Sequence, residues 1–146
     1  MLVIRKKEKS DPVTFTQPFR GHDITLTVRP YDKDEIRKLE KKHTTFVFGV
    51  NPKTKQLERV PIVNAEEFGK DIIDYLVVDF SGVGMSPEQP LEVTRENKLQ
   101  LLSLEPDEGE DTLSEVVQRK ARELSEVIAV EEKERIKNSS GASGTD

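Results

Sequence analysis

The sequence predicts an α+β fold, with N-terminal β-hairpins, several helices and a long C-terminal amphipathic helix. Three observations predict it. Two stretches, residues 12–30 and 46–63, read as paired short strands around turn residues. Residues 65–80 and 113–128 place apolar side chains at helical spacing. Asp32, Asn64, Thr94 and Thr112 each stand as an N-cap before helix-forming residues.

In the first hairpin, Val13 and Phe15 share one face, and Ile24, Leu26 and Val28 share another. The turn between them is "RGHD", with Gly21 free to take a positive φ. Pro18 marks its strand as an edge or broken strand. After Pro30, Asp32 caps a short surface helix with Asp34 and Glu35 in its first turn and lysines near its end. "TTFVFGV", "NPKTKQ" and "LERVPIV" form a second hairpin, and Pro61 again marks an edge. Asn64 caps a buried helix through Phe80, with a strand as the weaker alternative around Val77 and Val78. Ser81-Gly82 is its stop, a loop covers residues 83–93, and a helix follows Thr94 with Leu99, Leu101 and Leu102 buried.

Thr112 and Glu115 form a capping box that opens the most periodic segment. Leu113, Val116, Val117, Leu124, Val127 and Ile128 make its stripe. The expected organisation is a core at residues 1–104, an acidic linker at 105–112, an amphipathic helix at 113–137 and a flexible tail at 138–146.

Hydrophobic residues make up 34% of the chain and charged residues 35%, a thin supply for a core. The net charge of -5 argues against a general nucleic-acid binder. With no cysteine there is no disulfide and no thiolate chemistry. No apolar run approaches the roughly 20 residues that span a bilayer. "MLVIRKKEKS" reverses the order of a signal peptide, so the expected location is the cytoplasm, with no membrane partner.

Chemistry-bearing patterns are few. His22 sits in a turn and His43 at a helix end, both read as solvent-exposed, with no spaced partner for a metal. "SGVG" lacks the lysine and the preceding strand of a phosphate loop. The acidic run at 105–111 has the wrong spacing for a calcium loop and reads as a solvated linker. No serine has a nucleophile-elbow context. The expectation is a non-enzymatic protein with no cofactor, no metal and no catalytic residue. The stripe has two readings: it folds back on the core, or Val116, Val117, Leu124, Val127 and Ile128 contact a partner or another copy of the chain.

One stretch adds a family. "VVDFSGVGMSPEQPLEVTRENKLQLLS" resembles the tail assembly chaperones of long-tailed bacteriophages. The matching residues are Val78, Asp79, Phe80, Gly82 and Val83, then Pro90 and Leu91, then Thr94, Glu96, Asn97, Leu101 and Leu102. "GHDITLTVRPYDKDEIRKLEKK" is similar to the family's opening strand and charged helix, and the resemblance spans roughly residues 20 to 130. It implies an assembly factor that binds the tape-measure protein in the host cytoplasm, with the tail-tube protein as a further candidate partner. It would keep that client soluble until the tube polymerises and would be absent from the mature virion. Homo-oligomers suit such a role. The rival expectation is a virion structural protein, a tube or tail-completion component.

Overall fold

The computed structural model describes residues 11–143, with side chains to residue 134. The apolar and basic residues at 1–10 and the last residues of the expected tail, 144–146, lie outside the described residues. The fold is α+β, as the patterns predict.

The first hairpin pairs β1 (Val13–Phe19) with β2 (His22–Val28). A two-residue loop joins them. Arg20 and Gly21 both have positive φ, 52° and 75°, which suits the right-handed twist of the strands. β5 (Val77–Ser81) adds antiparallel to the other side of β2, giving the order β1-β2-β5 with Pro18 on an edge strand. Ile24, Leu26 and Val28 turn one face of β2 inward. The opposite face carries threonines, with the Thr14 and Thr27 hydroxyls 2.8 Å apart.

The described residues also form four helices: α1 (Lys33–Lys42), α2 (Ala65–Leu76), α3 (Arg95–Leu102) and α4 (Leu113–Ser143). The predicted caps form. Asp32 accepts from the amides of Asp34 and Glu35, Asn64 from Glu67, Thr94 from Asn97, and Thr112 from Glu115. α2, α3 and α4 pack on one another, with α4 against β2. The core they close contains Leu26, Leu76, Phe80, Leu101, Leu113 and Val117.

The expected helix through Phe80 stops at Leu76. Val77 onward is strand, and Gly82 ends that strand rather than a helix. The register shifts between Thr27 and Val28, so that Val28 pairs with Val77 and Leu26 with Phe80. This bulge brings two residues three apart onto one buried side, which imitates helical spacing in the sequence. "SGVG" therefore does follow a strand. It leads into a small hairpin, β6 (Gly84–Ser86) with β7 (Gln89–Pro90), where a loop was expected.

The acidic segment is largely exposed, as a solvated linker would be, and is also tethered to the first hairpin. The Arg20 amide donates to both oxygens of Glu110, at 3.0 and 3.3 Å, and the Arg20 Nε donates to the Glu105 carbonyl at 2.6 Å. α4 then continues to Ser143, into the expected tail. Each residue added to a formed helix gains a hydrogen bond without a new nucleation cost.

The remaining hairpin, β3 (Thr44–Val50) with β4 (Leu57–Val63), forms a sheet of its own between α1 and α2.

Candidate functional site

The predicted stripe divides along α4. Val116 and Val117 are buried with Leu113 and Ala121, because this half of the helix closes the core. They are therefore not available to a partner in this conformation. Leu124 and Ile128 are half-buried, and Ile128 lines a shallow cleft with Tyr31 and Tyr75. Val127 is 55% exposed. Only the outer half of the stripe is open.

Among the described residues, most of the exposed large apolar side chains lie on the β3–β4 hairpin. Its turn is locally determined. The Asn51 side chain accepts from the Lys53 amide at 2.8 Å, and its backbone carbonyl accepts from the Lys55 amide at 2.7 Å. The pairing runs from Thr44 opposite Val63 to Val50 opposite Leu57. Side chains alternate across the two faces. One face shows Phe46, Phe48, Val50, Leu57, Pro61 and Val63, with the Arg59 guanidinium 4.3 Å above the Phe46 ring. The other shows Val47, Val60 and Ile62. Every residue of β4 is exposed; Phe48 is 73% and Leu57 69% exposed.

Such a surface has a physical cost. A lone two-stranded hairpin is marginally stable in water. Burying a large apolar side chain contributes about 1.5–3 kcal/mol. Covering Phe46, Phe48, Val50 and Leu57 would therefore contribute on the order of 5 kcal/mol before the costs of association.

The hairpin's base is held by ionic contacts. Its first residue follows His43, whose carbonyl accepts from the Asn64 amide at 2.9 Å. The His43 ring lies 2.5 Å from a carboxylate oxygen of Asp71, itself 5% exposed. Arg95 of α3 donates to the other oxygen, and the Lys42 ammonium stands 3.6 Å away. The His43 contact first, and then Arg95, hold the Asp71 carboxyl down at about 2 against the cost of burial. His43 is thus half-buried and paired, where solvent exposure was expected, because α2 brings Asp71 against the end of α1.

This pair is a clamp between helices, and among the described residues no hydroxyl group is hydrogen-bonded to it. Among the described residues, no group of three or more His, Asp or Glu side chains is placed to hold a metal ion.

Sequence reasoning found the hairpin and missed its exposure. The available signal was "TTFVFGV", an apolar run that does not alternate. A strand apolar on both faces requires cover on both faces, and among the described residues no second layer supplies it here. Among the described residues no helix is long and apolar enough to cross a membrane. Comparison with protein-family models, curated proteins and solved structures gives no match.

Proposed function

We propose that this chain is a non-enzymatic assembly factor whose exposed hairpin holds an apolar client, and that it acts as a phage tail assembly chaperone. The client would be the tape-measure protein, kept soluble in the host cytoplasm before tube polymerisation. The observation that carries the reading is the two-faced apolar hairpin, on a chain whose 35% charged content keeps a complex soluble. The family resemblance around residues 77–103 supplies the identity of the client. The outer half of α4, with Val127 exposed and Leu124 and Ile128 half-buried, offers a second apolar strip.

A second reading is a structural protein of the tail. A projecting hairpin is also the kind of arm that neighbouring subunits of a polymer exchange.

The experiment is co-expression with a long, helix-rich tape-measure protein, reading that client's soluble fraction. The wild type should raise it and co-purify. Phe48→Asp and Leu57→Asp should abolish the effect while leaving thermal unfolding of the chain unchanged. An unchanged client with a folded wild-type protein overturns the chaperone reading. Recovery of the protein in purified particles selects the structural one.

A further inference from the structure

The two edges of the exposed hairpin are not equivalent. The hydrogen bonds Asn51 N to Gln56 O and Asn64 N to His43 O, both 2.9 Å, fix the ladder's phase at its two ends. In an antiparallel pair, hydrogen-bonded and non-hydrogen-bonded positions alternate. Asn51–Gln56 and His43–Asn64 are bonded pairs, so the pairs at Thr44, Phe46, Phe48 and Val50 are non-bonded. These four residues turn their N–H and C=O groups away from β4. On β4 the outward residues are Leu57, Arg59, Pro61 and Val63. Pro61 has no N–H, so that edge is interrupted at its middle. The β3 edge has an N–H at every outward position, and among the described residues no strand pairs with it.

Charge adds a direction. The chain carries a net -5, yet between Lys41 and Val63 the only acidic residue is Glu58, against Lys41, Lys42, Lys53, Lys55 and Arg59. Glu58 accepts a hydrogen bond from the Asn51 amide group at 3.0 Å. Lysines thus stand at both ends of β3, with Phe46, Phe48 and Val50 between them.

We propose that the outer edge of β3 receives an extended segment of a partner protein by strand addition. That segment would be apolar over about seven residues, the length of β3, and acidic on both flanks. Main-chain hydrogen bonds to Thr44, Phe46, Phe48 and Val50 would hold it. Its apolar side chains would lie beside the two phenylalanines, and its acidic flanks would meet the lysine ends. The inference rests on the hairpin being the binding surface and is independent of the client's identity.

The test uses the full chain and a fluorescein-labelled peptide of alternating valine and threonine, flanked by two aspartates at each end. Phe48→Ala removes the ring and keeps the N–H. Phe48→Pro removes both, without touching a bond of the hairpin's own ladder. Strand addition predicts binding at least about tenfold weaker for Phe48→Pro than for Phe48→Ala. Arg59→Pro, on the interrupted edge, should bind within about twofold of Arg59→Ala. A lysine-flanked peptide should bind more weakly than the acidic one.

Two half-methylated peptides, one N-methylated at its valines and the other at its threonines, need no protein variant. They should differ by about tenfold or more, since only one set of amides faces β3. Equal binding of the two, or of Phe48→Pro and Phe48→Ala, overturns strand addition. So does uptake by phosphatidylglycerol vesicles without peptide binding. A dimer that Phe48→Pro dissolves would put a second copy on that edge and overturn the acidic-segment assignment. Client rescue that Phe48→Asp abolishes, with no peptide bound, overturns strand addition and leaves the chaperone reading standing. Peptide binding with an unrescued client does the reverse.

Discussion

Val117 and Val127 belong to one stripe of α4 and should respond very unequally to the same substitution. Val117 has no exposed surface and packs in the core cluster with Leu101, Leu113 and Ala121. Val117→Ala deletes two buried methyl groups. Each carries about 0.8 kcal/mol of transfer free energy plus a share of the cavity left behind, for a total of about 2–3 kcal/mol. In a domain of this size each kcal/mol moves the melting point by roughly 2–4 °C, so Tm should fall by about 5–10 °C. Val127 is 55% exposed, and Val127→Ala should cost no more than about 0.5 kcal/mol. The assay is thermal unfolding followed by far-UV circular dichroism on both variants and the wild type. Urea unfolding would check that the m-value is unchanged. A Val117→Ala melting point equal to that of the wild type would show that α4 does not close the core. An equal loss in both variants would show that its outer half is buried too.

Two further outcomes follow from the same packing. Asp71 titrates at about 2 in the folded chain, below its ordinary 3.8, so its stabilisation is complete above pH 4 and is lost as pH falls through 2. The shift corresponds to at most about 2.5 kcal/mol; with Lys42 largely exposed and Arg95 partly so, roughly 1–2 kcal/mol is expected. In urea unfolding at stepped pH, Asp71→Asn should be less stable than the wild type at pH 6 and converge on it near pH 2; a gap independent of pH would refute the assignment. Gly82 has φ +83°, and a Cβ there would stand 2.9 Å from the Asp23 carbonyl oxygen. Gly82→Ala should therefore destabilise by about 1–3 kcal/mol in the same assay, and a neutral effect would mean that the β5 end is not seated against β2.

Much of the fold was legible because its signals are local. A cap needs only a side-chain acceptor and the next three residues, which is why Asp32, Asn64, Thr94 and Thr112 were all readable. The Val77–Ser81 strand was not readable as the leading alternative. Val77 and Phe80 stand three apart, and only the bulge against β2 reconciles that spacing with a strand. His43 and Asp71 are 28 residues apart, and nothing local announces their contact. The candidate surface was half legible: the strands of the hairpin were visible, its lack of cover was not.

The sequence by itself determined the two N-terminal hairpins, the capped starts of the four helices, the tight turn at Arg20-Gly21 and the absence of any thiol. These depend on backbone sterics and on neighbours within a few residues. Tertiary structure decided which apolar residues are core and which are offered outward. Phe80 is buried and Phe48 is exposed, although both lie in apolar strand segments. Val117 is buried and Val127 is not, although both lie on one helical stripe. Burial belongs to whatever covers a residue, and β2, α2, α3 and α4 cover one another while the β3–β4 hairpin stands outside them. The same arrangement left the β3 edge open and the β4 edge interrupted by Pro61, because the ladder's phase, rather than composition, sets which backbone groups face out.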